Sequence, residues 1–194
     1  KGDALASLSN LKHLTLLQMD VNDAELSKLT KLESLDLSIC NIDDLNFLSS
    51  CTNLYRLKLV LISSQSENDD KTIATIKKGM MKQTKLQYLS TYMTGPILYY
   101  NPEVINGMTQ LRDFTSFEGN GVDEDSDYFG RFNFRNSNNL KRLVLSSSTA
   151  SKGTFDFAAF KGLSKLETLW LANYASIENE NILLGLDKGG CCAK

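Results

Sequence analysis

The sequence predicts a curved solenoid of the α/β class, with short parallel strands on its concave face and short helices and loops on its convex face. The main observation is a leucine spacing that recurs along the chain. The segment 29–50 has leucines at its positions 1, 4, 7 and 9 and a cysteine at position 12. Residues two apart in a strand point to the same side, so Leu35 and Leu37 enter a core while Asp36 faces away. One such coil cannot bury its own leucines, and neighbouring coils must therefore stack.

The same spacing divides the chain into about seven repeats, which we interpret as a single domain covering residues 1–194. An apolar pair at positions 4 and 7 sets the frame in each repeat: Leu11/Leu14, Leu32/Leu35, Leu54/Leu57, Leu86/Leu89, Leu111/Phe114, Leu140/Leu143 and Leu166/Leu169. The repeats start near residues 8, 29, 51, 83, 108, 137 and 163, and residues 187–194 are expected to form a flexible tail. The fourth and fifth repeats fit least well, because Thr91 and Ser116 replace leucine at position 9.

The motif L-x-x-L-x-L-x-x-N/C in these repeats resembles the core of the leucine-rich repeat. The second repeat has 22 residues with Ile42, Leu45 and Leu48 downstream, and it is similar to the short repeats of internalins and of the phosphatase-regulator type. The later repeats are longer and resemble the type with a helix on the convex side. The resemblance implies a protein-binding module and names no partner.

Apolar residues at helical spacing predict helices on the convex side. In the segment 68–82, aspartates precede Ile73, Ile76 and Met80, which is typical of an amphipathic helix. Two more short helices are predicted from apolar groups that precede a glycine: Phe155, Phe157 and Phe160, and Ile177, Ile182 and Leu183. Pro96 and Pro102 bracket a segment that we expect to be an irregular loop.

Composition and motifs argue against several classes of function. The chain has 21 basic and 23 acidic residues, a balance that does not favour nucleic acid. No run approaches the roughly 20 apolar residues of a membrane span. A single histidine, His13, and the lack of a Cys-x-x-Cys pair leave no zinc-ligand set. No nucleophile and base stand at a recognisable spacing, and no phosphate-binding glycine loop is present. The sequence therefore predicts a non-enzymatic protein without a cofactor.

The four cysteines predict two different environments. Cys40 and Cys51 fall at the inward-facing positions 12 and 1, which favours buried reduced thiols and a cytoplasmic location. An extracellular location after removal of a signal peptide is the alternative. Cys191 stands four residues from the end, as in a C-a-a-X motif, with Cys192 beside it, although Lys194 is not a usual last residue. Lipidation of both cysteines is the alternative to an unmodified tail.

One acidic segment begins like a calcium-binding loop. Asp123, Asp125 and Asp127 match positions 1, 3 and 5 of an EF-hand. Tyr128 stands where that loop needs glycine, and Phe134 stands where it needs a bidentate glutamate. The sequence therefore favours a solvated acidic loop over a calcium site.

The concave face, formed by positions 6, 8 and 10 of the strands, is the candidate binding surface. The expected binding residues are the aromatics Tyr88, Tyr92, Phe117 and Trp170 and the charged residues Arg56, Lys58, Asp113 and Arg142. Adjacent strands lie about 4.8 Å apart, so Tyr92 and Phe117, both at position 10, should be side by side. Exposed aromatics near arginine are typical of interface hot spots. A slip of one residue in the fourth or fifth repeat would instead turn Tyr88, Tyr92 and Phe117 into the core. Isolated exposed aromatics without a function are the third alternative.

The function predicted from these observations is a protein–protein interaction module that binds a protein or peptide on its concave face. Two alternatives stay open. One is a recognition or sensor region of a larger multidomain receptor or ligase. The other is a lipid-anchored or surface-associated repeat protein that uses Cys191 and Cys192.

Overall fold

The computed structural model describes residues 4–42, 45–61, 70–93, 102–118, 134 and 136–178. These residues form one sheet of seven strands that follow one another in sequence order, and every neighbouring pair is parallel. The strands are β1 His13–Leu17, β2 Ser34–Cys40, β3 Arg56–Leu61, β4 Tyr88–Met93, β5 Asp113–Glu118, β6 Arg142–Asp156 and β7 Thr168–Glu178. Each connection returns the chain to the same end of the sheet, which is the architecture that stacked coils require.

The strand register joins equal positions of successive repeats. Position 6, for example, forms one row across the sheet: His13, Ser34, Arg56, Tyr88, Asp113, Arg142 and Thr168. Just before each strand, the backbone N–H at position 5 donates to the carbonyl at position 5 of the preceding repeat, over 2.7 to 2.8 Å. These hydrogen bonds set the repeats side by side, so residues at one position share one face of the sheet.

The hydrophobic core lies between the sheet and the connecting segments. Leu35, Leu37 and Leu57 are buried on the inner face of the sheet, as the leucine spacing predicts. The connecting segments contribute Leu26 and Met80 to the same cluster. The opposite face of the sheet carries positions 6, 8 and 10, and we call it the concave face.

Short helical elements form the other layer of the solenoid. They are α1 Asp23–Leu26, a 3₁₀ turn at Asn46–Ser49, α2 Asp70–Met81, α3 Pro102–Asn106 and a second 3₁₀ turn at Phe157–Phe160. α2 confirms the helix predicted within 68–82. Asn22 caps α1 by accepting a hydrogen bond from the backbone N–H of Ala24 at 2.9 Å. Pro102 occupies the first position of α3, where the absence of a backbone N–H removes no hydrogen bond of the helix.

The last two strands correct part of the helix prediction. β6 has 15 residues and runs to Asp156, so Phe155 lies in a strand and the helical turn begins only at Phe157. β7 has 11 residues and includes Ile177, so no helix begins there. These segments are strands and not helices because β6 and β7 stay paired in parallel over this length, with Phe155 opposite Ile177. Ile182 and Leu183 lie outside the described residues, as does the proposed loop at 97–101.

α2 packs unusually close to the first 3₁₀ turn. A Cβ built on Gly79 would lie 2.7 Å from the Leu48 Cβ, so only glycine fits at this approach. Gln83, which replaces leucine at position 1 of the fourth repeat, is buried at the same junction. Its Nε2 donates to the carbonyl oxygens of Leu48 at 2.6 Å and Gly79 at 3.1 Å. The Gln83 amide therefore joins the end of α2 to the preceding repeat.

Cys40 and Cys51 are buried free thiols, as their repeat positions predict. The Cys40 Sγ lies 3.4 Å from the carbonyl oxygen of Leu16 in the preceding repeat. The Cys51 Sγ lies 3.3 Å from the carbonyl oxygen of Leu26 and 3.4 Å from that of Leu29. Burial, with a smaller contribution from the negative charge of Asp23, raises the pKa of Cys51 to about 11. This thiol therefore stays protonated at neutral pH.

Candidate binding site on the concave face

Six of the eight predicted binding residues line one depression of about 440 Å³ on the concave face: Arg56, Lys58, Tyr88, Asp113, Phe117 and Arg142. Four of them occupy position 6 of the consecutive strands β3 to β6 and stand in one row. The sheet register brings these side chains together although they are spread over more than 80 residues of sequence. We call this depression the concave groove.

The carboxylate of Asp113 is held from the neighbouring strand. Arg142 Nη1 donates to Asp113 Oδ1 at 3.0 Å and to Thr115 Oγ1 at 2.8 Å, and the Thr115 hydroxyl lies 3.3 Å from Asp113 Oδ1. On the other side of the groove, Lys58 Nζ lies 3.3 Å from Asp36 Oδ2. These ion pairs are partly exposed, so each contributes at most about 1 kcal/mol to stability. Their larger effect is to fix the positions of three charged residues in the groove, Lys58, Asp113 and Arg142.

Arg56 differs from the other groove cations. Its guanidinium carbon lies 6.0 Å from the centre of the Tyr88 ring, a cation–π contact. The Tyr55 ring meets Tyr88 edge-on with centroids 6.5 Å apart. Within the described part of the chain, Arg56 has no carboxylate partner. Its positive charge is therefore positioned by an aromatic ring and left uncompensated.

The two remaining predicted residues, Tyr92 and Trp170, pack against Phe117 beside the groove. The Tyr92 and Phe117 centroids are 6.3 Å apart, and those of Phe117 and Trp170 are 6.1 Å apart at an interplanar angle of 75°. Tyr92 pairs with Phe117 in the strand register, as predicted, so the frame does not slip in these repeats. Tyr92 is 42% exposed and Trp170 is 49% exposed. We call these three residues the aromatic cluster.

The aromatic cluster covers the strand between its members. β5 and β7 are separated by β6, so their backbones are roughly 10 Å apart, yet the Phe117 and Trp170 rings approach to 6.1 Å. The two rings must therefore lean over β6. Val144, which lies on this face of β6, is only 1% exposed although it is not part of the hydrophobic core. Phe117 itself is only partly exposed, which is less than its predicted position on the concave face implies.

Sequence reasoning overlooked a second depression, of about 760 Å³, at the edge of the sheet where the strands begin. Its lining includes Lys31, Asn53, Tyr55 and Lys85, which occupy positions 3 and 5 of their repeats. The repeat alignment does contain a sign of this site, because position 3 is polar in every repeat: Asn10, Lys31, Asn53, Lys85, Gln110, Asn139 and Lys165.

Several predictions concern residues that the structure does not describe. They are the acidic loop at 123–127, the tail at 187–194 and the candidate lipidation sites Cys191 and Cys192. Among the described residues, no three His, Cys, Asp or Glu side chains come together as a metal-ion site. No helix in the described ranges is both long and apolar enough to cross a membrane.

A solved structure with the same architecture is internalin C2 from Listeria monocytogenes. It covers 98% of this chain and 84% of its own, with a TM-score of 0.60 and 15% sequence identity. The chain has the leucine-rich-repeat fold. This confirms the predicted fold class. No protein-family model and no curated protein matches the sequence.

Two further likenesses to solved structures are weaker. The internalin InlF of Listeria monocytogenes covers 100% of this chain and 71% of its own, at 19% identity and a TM-score of 0.43. The Arabidopsis receptor kinase HAESA, solved with the peptide hormone IDA and the co-receptor SERK1, covers 91% of this chain and 40% of its own. It has 13% identity and a TM-score of 0.40. The fold assignment therefore depends on the observed sheet and on internalin C2, and not on these two structures.

Proposed function

We propose that this leucine-rich-repeat protein is a non-catalytic interaction module that binds a protein or peptide on its concave face. The observation that carries the proposal is the aromatic cluster of Tyr92, Phe117 and Trp170. Its rings pack together beside the concave groove, and Tyr92 and Trp170 are exposed. Tryptophan and tyrosine bury a large apolar area while losing few rotamers, and they dominate the energetics of many interfaces.

The aromatic cluster is already ordered before any partner arrives. Phe117 holds Tyr92 on one side and Trp170 on the other, so binding would not have to immobilise three independent side chains. Ordering a side chain costs about 0.5–1.5 kcal/mol of affinity, and preorganisation avoids most of that cost. The cluster is therefore the expected source of binding energy.

The concave groove would supply orientation. Lys58 and Arg142 are paired with aspartates, whereas Arg56 keeps an uncompensated charge. Fixed charges of this kind discriminate between partners more than they add affinity. Four strand spacings separate Arg56 on β3 from Trp170 on β7, or about 19 Å. An extended peptide crossing the strands at about 3.3 Å per residue would need about six residues to reach both.

The test uses peptides selected on the protein itself. We would select binders of the full chain from a display library of linear peptides and measure their affinity for the natural sequence, Trp170→Ala and Met81→Ala. Met81 is a matched control because it is 57% exposed but lies on α2, in the layer on the other side of the sheet. Trp170→Ala should weaken binding by about 30-fold or more, the effect of a hot-spot residue. Met81→Ala should bind like the natural sequence.

The folded state must be checked in parallel, since loss of Trp170 uncovers Val144. A thermal melt of each variant separates loss of binding from loss of structure, and Tyr92→Ala provides a second probe at the opposite end of the aromatic cluster. Selected peptides that bind both aromatic variants as tightly as the control would exclude the concave face. A selection that enriches no peptide would also contradict the proposal.

The cellular location stays a prediction. The buried free thiols of Cys40 and Cys51 are what favours the cytoplasm in this proposal. An extracellular location stays the alternative, because thiols buried against backbone carbonyl oxygens are compatible with it.

A further inference from the structure

Lysine side chains at the edge of the sheet are held by asparagines of the preceding repeat. Each contact joins a lysine Nζ at position 3 to an asparagine Oδ1 at position 3: Lys31 to Asn10 at 2.6 Å, Lys85 to Asn53 at 2.6 Å and Lys165 to Asn139 at 2.8 Å. Two of the asparagines are themselves anchored, because their Nδ2 groups donate to a backbone carbonyl one repeat earlier. The same device thus occurs three times along one edge.

Asparagine positions an ammonium group without neutralising it. The amide oxygen accepts one hydrogen bond and leaves the lysine two donors and its full charge. Positions 3 and 5 together carry six basic residues and two acidic ones. The acidic ones are paired, Glu33 with Lys12 at 2.7 Å and Glu167 with Lys141 at 2.5 Å.

Four cations of this edge are left uncompensated: Lys31, Lys85, Arg112 and Lys165. All four are exposed, and in the described ranges none has a carboxylate partner. The chain as a whole has a net charge of −2, so this local excess is not a consequence of a basic composition. We call these four residues the basic edge.

The basic edge borders a depression that polar and charged residues line. Besides Lys31 and Lys85, the 760 Å³ depression is lined by the paired Lys12 and Glu33 and by amides and hydroxyls such as Asn53 and Thr84. Among the described residues that line it, Tyr55 is the one aromatic residue and none is aliphatic. Lys31 and Lys85 belong to repeats two strands apart, a separation of about 10 Å, and Lys165 lies about 14 Å further along. The cations therefore follow a line along the solenoid.

We infer that the basic edge binds a linear anionic polysaccharide. The ammonium and guanidinium groups match carboxylate or sulfate groups at intervals along a chain, and the amides and hydroxyls match sugar hydroxyls. The Tyr55 ring offers one apolar surface for the C–H face of a sugar. Single-stranded nucleic acid would require several aromatic rings for base stacking. An acidic peptide fits less well. Peptide interfaces depend on apolar anchor residues, and the depression offers no apolar pocket for such an anchor.

The experiment measures the binding of two probes to the full chain at several salt concentrations. Heparin represents sulfated chains and polygalacturonate represents carboxylated ones. The test variant is Lys31→Gln with Lys85→Gln, and the control is Lys77→Gln with Lys78→Gln on α2, which removes the same charge away from the basic edge. Binding to one or both probes should weaken at least tenfold in the test variant and stay unchanged in the control. Lys31→Arg with Lys85→Arg should keep the affinity.

Three outcomes would overturn the inference. The first is that neither probe binds the natural sequence. The second is an equal loss in the test and control variants, which would indicate a non-specific charge effect. The third is that poly-glutamate or single-stranded DNA binds as tightly as the polysaccharides with the same loss in the test variant, which would make the site a general polyanion surface. Trp170→Ala should leave polysaccharide binding unchanged, so this test is independent of peptide binding on the concave face.

Discussion

Gly79→Ala tests the close packing between α2 and the preceding 3₁₀ turn. The added Cβ would lie 2.7 Å from the Leu48 Cβ, 3.4 Å from the Leu48 carbonyl carbon and 3.4 Å from the Ser49 nitrogen. Carbon atoms in ordinary contact are about 3.5–4.0 Å apart, so the overlap is about 1 Å. The opposing atoms belong to the backbone or to a Cβ, and none of them can rotate away. The helix itself would have to move.

The expected result is a loss of stability despite a gain in helix propensity. Alanine is better than glycine inside a helix by about 0.5–1 kcal/mol, whereas overpacking costs about 1–3 kcal/mol. A shift of α2 would also lengthen the 2.6 Å hydrogen bond from the buried Gln83 amide to the Leu48 carbonyl. We therefore expect the free energy of unfolding to fall by about 1–2 kcal/mol.

Urea denaturation followed by circular dichroism measures this change. Ala74→Gly on the exposed side of the same helix is the matched control, and it should cost only the propensity difference of about 0.5–1 kcal/mol. If Gly79→Ala instead stabilised the protein by the amount that Ala74→Gly costs, the close approach of the helix to Leu48 would be refuted. A loss above 4 kcal/mol would mean that the whole junction, including Gln83, comes apart.

Two further predictions concern single residues of the second and third repeats. Ile39 is the extra residue of a bulge between β2 and β3, has φ of 57° and is 41% exposed. Because a left-handed backbone strains a β-branched residue, Ile39→Asn should raise the free energy of unfolding by about 1 kcal/mol and Ile39→Val should not; equal denaturation midpoints for the two variants would contradict this. Cys51 should resist iodoacetamide at pH 8 in the folded protein and react in urea, as site-resolved mass spectrometry would show. Its thiol ionises near pH 11 when folded against an ordinary 9.0, so stability should decrease as the pH rises from 9 to 11. Cys51→Val should lose that part of the decrease, and an unchanged pH profile would speak against the raised pKa.

The repeating leucine pattern determined the fold, because the spacing of residues within each short strand is enough to predict which side chains are buried. A period of two residues in each strand decides which side chains enter the core, so the burial of Leu35 and the concave position of Arg56 follow from the frame alone. Equal spacing in successive repeats then fixes the register, since a shift of one residue would expose every leucine of a strand. The pairing of Tyr92 with Phe117 could be predicted for this reason.

Other features depended on contacts between repeats, which no local pattern specifies. The lengths of β6 and β7 were not predicted, because pairing between the two strands, and not the composition of either, extended them beyond the short strand of the repeat motif. The bulge at Ile39 likewise arises from the offset between two neighbouring strands. Helical spacing in α2 located the helix, but the requirement for glycine at Gly79 comes from a turn about 30 residues away.

The sequence by itself determined the repeating unit of the solenoid, the face on which each strand side chain lies and the polar residues at position 3 of every repeat. Only the tertiary structure decided how those side chains meet. Trp170 and Phe117 lean across β6 and bury Val144, and Lys85 finds the amide of Asn53 one repeat away. The physical reason is that the position of a residue in a strand decides only the face of the sheet on which its side chain lies. The rotamer and the contacts of that side chain depend on neighbours more than 20 residues distant in sequence.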